Sequence, residues 1–289
     1  ALHRLHTAEG DDAFQTAWRT LADHFDLLYD DPRNVADLRQ AILDLAVRGK
    51  LVPQDPNDEP ASELLRRVGA EKTRLMKEDQ LKPEDVVAIE LQKVPHVPIN
   101  ILCDVRGGIQ KSSNRRPNQN PRRYLTVAHV QRNWIDTGDP RYFEVSHEEL
   151  ARWRLINGDI LVVEGNGSSD HIGRAAMFMG EIEDCVHQNH VIRVRPNQDF
   201  VQPRYLNLYL NSPSGREQIL GRSRTTSGLF NLSVGRIKTI LVPLPSVSEQ
   251  NRIMIKVDQL MRLCDELEAR LQQGHEQGQR LTAAVLANV

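Results

Sequence analysis

The sequence predicts an α+β fold, a mixed α/β globule flanked by long helices. Three observations point there. Apolar residues recur at helical spacing near the start of the chain. From about Val94 that pattern gives way to short apolar runs separated by Gly, Asn and Asp. Near the end, a proline-rich segment, Ile240-Leu-Val-Pro-Leu-Pro245, runs into a helix whose apolar residues Ile253, Val257, Leu260, Cys264, Leu267 and Leu271 alternate spacings of four and three. That alternation is the seam of a coiled coil. The expected divisions are a helical region over 1–93, a globule over 94–245 and a C-terminal helix over 246–289.

Residues 11–29 place Phe14, Trp18, Leu21, Phe25 and Leu28 on one helical face. Asp31-Pro32 reads as an N-cap followed by proline at the first helical position, where a missing N–H costs nothing. The next helix carries Val35, Leu38, Ile42 and Leu45, and Gly49 is its expected stop. The segment 52–60, rich in Pro, Asn and Asp, is a loop. Pro60 reopens a helix with Leu64, Leu65, Val68 and Leu75 inside, fraying near Lys82-Pro83. In the globule, 160–163, 175–179 and 191–194 read as strands, and 203–221 as one or two helices. Pro243 and Pro245 end an extended segment because proline has no N–H for a ladder. Ser246 with Glu249 has the form of a capping box. The seam continues in register as Gly274, Gly278, Leu281 and Val285, and each glycine weakens the helix by about 1 kcal/mol relative to alanine.

At 289 residues the chain can bury a substantial core. Cys103, Cys185 and Cys264 are too widely spaced for a disulfide framework and fit a reducing compartment, so a cytoplasmic location is expected. No apolar run approaches the roughly 20 residues of a membrane helix. The net charge of −2 is unevenly spread. Residues 94–245 hold 19 basic and 14 acidic residues, leaving 18 basic and 25 acidic residues elsewhere. A basic centre with acidic flanks suggests a nucleic-acid-facing middle and protein-facing helices.

Three loops supply candidate DNA contacts. The first runs from Arg106 to Tyr124 and contains Arg106, Lys111, Arg115, Arg116, Arg122 and Arg123 without an acid. Gln110, Ser112, Asn118 and other small polar residues are interleaved. Lys and Arg neutralise phosphates, and Asn, Gln and Arg can hydrogen-bond base edges. The second, Glu164 to Arg174, offers Asn166, Ser168, Ser169, His171 and Arg174. Its Gly165, Gly167 and Gly173 loosely resemble a dinucleotide fingerprint, but no ribose-binding acid follows in a βαβ unit. They fit better as a turn that approaches a backbone closely, whether DNA's or the protein's own. The third, Arg222 to Ser233, offers Arg222, Arg224, Thr225, Thr226 and Ser227 for phosphate and groove contact, with Leu229, Phe230 and Leu232 directed into the core.

Catalytic constellations are poor. There is no Walker A loop, and no Asn-Pro-Pro-Tyr or Asp-Pro-Pro-Tyr of the kind that amino-methyltransferases use. Asp159 and Glu164 suggest a nuclease carboxylate pair, but no lysine follows at short spacing. Cys185, His187 and His190 invite a metal, but a second ligand cluster is missing. No catalytic residue and no bound metal are expected.

Two blocks carry a resemblance. One is Leu38 to Leu65, with Arg48-Gly-Lys-Leu-Val-Pro53 inside it. The other combines Asn231-Leu-Ser233, Ile237-Lys-Thr-Ile-Leu-Val-Pro-Leu-Pro245 and Glu249-Gln250. Both resemble the specificity subunit of type I restriction-modification enzymes. Gly108-Ile-Gln-Lys-Ser112, Tyr124-Leu-Thr-Val-Ala-His-Val130 and Gly158-Asp-Ile-Leu161 are similar to that family's target recognition domain. The likeness extends over roughly residues 30–270.

The resemblance implies a non-catalytic subunit that binds double-stranded DNA. In that family two target recognition domains each read half of a split site, held apart by two antiparallel helices. The helices dock adenine methyltransferase subunits, which bring S-adenosylmethionine, and a restriction and translocase subunit joins them. By this likeness Leu38, Ile42, Leu45, Ile253, Val257, Leu260 and Leu267 are the docking residues, and no cofactor belongs to this chain. Only one recognition domain lies between the helical blocks. A half-length subunit that pairs with a second copy would read a palindromic split site. A C-terminal portion of a longer subunit is the alternative, favoured by a helix-like start at Ala1-Leu-His-Arg-Leu-His. Outside the family, a stand-alone dimeric DNA-binding regulator and a metal-dependent nuclease are the competing functions.

Overall fold

The computed structural model describes residue 8 and residues 11–286, with 93, 167, 169, 227 and 228 excepted. The chain forms two compact units, one of residues 1–53 with 253–289 and the other of residues 54–252.

The helical unit opens with α1 (Asp11–Asp23), α2 (Phe25–Leu28) and α3 (Val35–Val47). The buried face of α1 is Ala17 and Leu21, while Trp18 is 46% exposed. Leu21 is buried as expected, while Trp18 is turned outward and Ala17 packs against Leu45 and Leu51 instead. Asp31 caps the turn Pro32–Asn34, its carboxylate accepting from the Arg33 N–H at 2.8 Å. Gly49 has φ +65°, the left-handed conformation that ends a helix most cheaply with glycine.

The globule begins with α4 (Ala61–Lys77), which buries Leu64 and Val68. Arg67 lies 5.0 Å from the Phe200 ring centroid and donates to the Asp199 carbonyl at 2.9 Å. Residues 54–92 and 246–252 belong to the same compact unit as the globule. Then follow β1 (His96–Pro98), α5 (Ile99–Leu102), β2 (Cys103–Arg106), β3 (Pro121–Leu125), β4 (Tyr142–Glu144) and α6 (His147–Trp153). Next come β5 (Ile160–Val163), β6 (Gly165–Asn166), β7 (Ala175–Met177), β8 (Val186–His187) and β9 (Val191–Pro196). The remainder is α7 (Pro203–Asn211), α8 (Pro213–Arg222), β10 (Arg224–Thr226), β11 (Leu229–Asn231), α9 (Val234–Lys238) and β12 (Leu241–Pro243).

The central sheet has the order β2-β9-β5-β7 and is antiparallel throughout. Strand β5 is apolar at all four positions because both its faces are covered. Leu161 and Val163 enter a core with Leu125, Phe178 and Val191, and α7 packs against the sheet as well. Tyr205 and Tyr209 of α7 spend their hydroxyls on the carbonyls of Pro243 (3.0 Å) and Leu241 (2.6 Å). A second sheet, β4-β3-β8, encloses Ile109, Tyr124, Phe143, Val145 and Val186, with Tyr124 and Phe143 stacked at 3.6 Å. A third, β10-β11-β6, joins the second and third candidate loops. The pair β1–β12 ties the start of the globule to its end. A two-stranded edge tolerates Pro98 and Pro243.

Helix α10 (Val247–Leu286) starts where the capping residues place it, the Ser246 hydroxyl accepting from the Glu249 N–H at 3.0 Å. Within the helical unit it meets α3 through Arg39, which binds both Asp265 and Glu268, the latter at 2.8 Å. The seam residues Ile253, Val257 and Cys264 are buried, and Leu260, Leu267 and Leu271 are half-buried. Beyond Leu271 the register no longer matters to this chain: Gly274, Gly278, Leu281 and Val285 are all exposed, Leu281 by 68%.

Ile42 is 5% exposed. Truncating it leaves a cavity in the helical unit, so Ile42→Ala should cost about 2–4 kcal/mol, read as a lowered midpoint in urea denaturation followed by circular dichroism.

Candidate nucleic-acid interface

The three candidate loops, far apart in sequence, are laced together by backbone hydrogen bonds. The lacing runs through residues 187–190. Ile109 N–H donates to the His187 carbonyl at 2.8 Å, and Asn189 N–H to the Ile109 carbonyl at 3.0 Å. Glu164 N–H donates to the His190 carbonyl at 3.0 Å, which brings in the second loop. Leu232 N–H donates to the Glu164 carbonyl at 2.7 Å, and β11 pairs with β6, which brings in the third. Gly108 is required for this contact, since a Cβ there would sit 2.3 Å from the His187 carbonyl oxygen. Gly173, at φ +64°, is likewise pressed against Ile219. Gly108 thus serves close approach to the protein's own backbone, and Gly173 close approach to an apolar side chain. β5 is antiparallel to both its neighbours, so the second loop does not open a βαβ unit, which removes the dinucleotide resemblance.

The first loop has no acid of its own, but acids reach it from elsewhere. Arg115 forms an ion pair with Glu149 of α6 at 2.6 Å and holds that carboxyl below the usual carboxylate range. The Glu144 carboxylate accepts from the N–H groups of Asn118 (2.7 Å) and Asn120 (2.8 Å). Arg106 pairs with Asp104 at 2.9 Å, Arg122 lies 3.6 Å from Asp184, and Arg123 donates to the Thr137 carbonyl at 2.8 Å. Lys111 and Arg116 are exposed without an ion pair among the described residues, beside exposed Gln110, Ser112 and the Asn118 side chain. Arg115 is therefore a fastener of the loop, and the free cations are Lys111 and Arg116.

In the second loop the Ser168 hydroxyl accepts from the Asp170 N–H at 3.2 Å, shaping a turn, and His171 is exposed. Arg174 is half-buried and donates to the Val127 carbonyl at 2.7 Å. Asn166 lies in β6, and Ser169 falls outside the described residues. In the third loop Arg222 is folded back onto its own helix end, donating to the Thr239 hydroxyl (3.1 Å) and the Gln218 carbonyl (3.3 Å). Arg224, Thr225 and Thr226 form β10, and Ser227 falls outside the described residues. Leu232 is buried as expected. The linking segment 187–190 was not among the expected contacts, because its only sequence signal was the His and Cys spacing that suggested a metal.

The carboxylate pair separates on inspection. Asp159 is fully buried, bound by Arg195 at 2.6 and 2.8 Å and by the Ile156 N–H at 2.9 Å. Glu164 instead pairs with His190 at 3.2 Å. Among the described residues no cluster of His, Cys, Asp and Glu could hold a metal. Burial pushes the Cys185 thiol up to about 12 and the His187 imidazole down to about 4. A cleft of about 630 Å³ in the globule is lined by Arg74, Arg106, Arg152, Arg195 and Lys238. It is far too small to enclose a duplex, and Arg74 and Arg195 are already neutralised by Glu71 and Asp159.

Of the expected docking residues, Ile42, Leu45, Ile253 and Val257 are buried within the chain. Their side chains hold this chain together and cannot be presented to a partner. Leu38, Leu260 and Leu267 remain half-exposed.

His187 generates a pH dependence. Its folded-state value lies near 4, below the ordinary 6.5, with burial as the first cause. The unfolded chain therefore binds this proton more readily. The stability it contributes is present above pH 6.5 and is lost as pH falls through about 4. The full loss is on the order of 3 kcal/mol. His187→Asn should flatten the decline in thermal midpoint between about pH 6.5 and 4.

Residues 102–276 match the type I restriction modification DNA specificity domain. The type I restriction enzyme EcoAI specificity subunit of Escherichia coli is 31% identical over 282 residues, covering 90% of this chain and 45% of that subunit. The EcoKI specificity subunit of Escherichia coli strain K12 is 29% identical over 261 residues, covering 89% and 49% respectively. The crystal structure of the HsdS subunit from Thermoanaerobacter tengcongensis is 15% identical with a TM-score of 0.47, covering 94% of this chain and 53% of that one. The chain spans about half the length of the curated relatives it matches. With more than half its residues inside the family match, the chain belongs to the type I restriction-modification DNA specificity family.

Proposed function

We propose that this chain is the non-catalytic reader of a type I restriction-modification complex. The globule binds duplex DNA and reads one half of a bipartite site. The single observation that carries this is the lacing of three polar, cation-bearing loops through residues 187–190, in a chain of the DNA specificity family. Phosphate contacts from Lys111 and Arg116 would position the duplex, while Gln110, Ser112 and Asn118 are exposed for base edges.

The helices α3 and α10 are the docking element for adenine methyltransferase subunits, and through them for the restriction and translocase subunit. Chemistry and S-adenosylmethionine belong to those partners. The half-exposed Leu38, Leu260 and Leu267 and the exposed Ile255 and Leu263 are among the apolar groups available for contact. A second copy of the chain is a further partner of this kind.

The decisive experiment is co-expression with the neighbouring methyltransferase, followed by genome-wide mapping of methylated adenine. A split, adenine-containing motif that appears only when both proteins are present is expected. Tight specific binding by the chain alone, with no methyltransferase association, would instead favour a stand-alone regulator. One double and one single substitution refine the interface. Lys111→Gln with Arg116→Gln should weaken duplex binding about tenfold or more at low salt, for two lost phosphate contacts, and leave the thermal midpoint unchanged. Arg115→Gln should lower the midpoint as well, because it releases the loop from Glu149.

A further inference from the structure

An exposed tryptophan stands between the first and second candidate loops. Trp134 is 56% exposed, although the indole is a side chain that proteins bury on average. It closes the turn Gln131–Trp134, where the Gln131 N–H donates to the Trp134 carbonyl at 3.0 Å and Val130 bridges to Ile135. The segment that carries it is fastened on both sides. Before it, Arg132 donates to the carbonyl of Asp170, in the second loop, at 2.9 Å. After it, the carbonyl of Thr137 accepts at 2.8 Å from Arg123, in the first loop. Arg123 lies directly opposite Tyr142 in the β3–β4 ladder, and Tyr142 is 46% exposed. The two therefore share the face of that sheet opposite the stacked Tyr124 and Phe143.

The turn is stiff. Asn133, beside Trp134, holds φ +69° and donates its N–H to the Ala175 carbonyl at 2.9 Å. Its side-chain oxygen accepts from the amides of Asn207 (3.1 Å) and Asn211 (2.9 Å) of α7. A left-handed residue held by three hydrogen bonds keeps the backbone of the turn in place, so little ordering is left to do on binding. An aromatic ring held out in this way gains most from a flat partner. On a nucleic acid that partner is a base, and stacking tolerates any sequence because every base has a π-face. In a duplex the face is reached only where a base step is opened, which is how apolar wedges enter.

We propose that Trp134 is a wedge, its indole entering a base step of the bound duplex and stacking on a base between the contacts of the first and second loops. This rests on the DNA-binding function above. It adds a local opening of the duplex, so that one step is read through its deformability rather than through hydrogen bonds to base edges. A docking point for a protein partner is the competing role. The ties to Asp170 and Arg123, each inside a candidate DNA loop, favour the duplex.

The test uses the full chain and a short duplex carrying the split motif that the methylation map defines. The chain has three tryptophans, Trp18, Trp134 and Trp153. Stacking on a base quenches indole emission, so the wild type should dim on binding and W134F should lose most of that dimming. In anisotropy titrations with the labelled duplex, W134A should weaken binding roughly fivefold to a hundredfold, the loss of one base–aromatic stack. Its slope of log affinity against log salt should match the wild type, because no phosphate contact is removed. W134F keeps a ring and should retain most of the affinity; it also serves if W134A fails to fold. Wild-type affinity in a folded W134A, or undiminished dimming in W134F, overturns the wedge while leaving the DNA-binding function intact. Loss of methyltransferase co-purification in W134A with DNA affinity unchanged overturns it in favour of a protein contact. Absence of duplex binding by the wild-type chain overturns both.

Discussion

The segment 187–190 is the constraint on which the site depends. It lies between Ile109 and Glu164, bonded through backbone groups to each. Backbone bonds of this kind demand close approach, and close approach demands Gly108, whose missing side chain leaves room for the His187 carbonyl. Burial of His187 follows from the same contact. Its Nδ1–H donates to the Val191 carbonyl at 2.7 Å, and its ring is kept neutral by desolvation. One small patch of backbone therefore decides where three loops stand relative to one another, although they are separated by some forty to sixty residues in the chain.

Charge in the globule is apportioned between two jobs. Arg193 is 1% exposed and bound to Asp104 at 2.6 Å, and Arg195 is bound to Asp159. Each pair has one fully buried member, Arg193 and Asp159, and removing its partner would strand a buried charge. Arg115 and Arg122 face carboxylates and fasten loops. Lys111 and Arg116 on the first loop have no such partner among the described residues. A nucleic-acid surface has to be electrostatically unfinished, because a cation already matched to a carboxylate has little to offer a phosphate.

The helical unit shows the same economy with apolar surface. The seam of α10 is satisfied against its own chain as far as Leu271, through Ile253, Val257 and Cys264, with Arg39 bridging to Asp265 and Glu268 on the rim. Past that point Leu281, Val285 and Leu286 stand exposed. Its first turns are secured by packing, and its remainder continues a helix already nucleated.

Local chemistry was legible from residues alone. The four-and-three spacing of α10, the Ser246 cap, the Asp31-Pro32 start, the Gly49 stop and the fully apolar β5 all depend on neighbours within a few positions. Such features are decided by steric and hydrogen-bond rules of short range, which a linear chain displays directly. Which cations are free was not legible, because Glu149, Asp184 and Glu144 reach the first loop from across the fold. The same holds for the grouping of residues 54–92 with the globule. Those outcomes depend on contacts between residues tens of positions apart, and a pairing of that range exists only once the sheets have set their register.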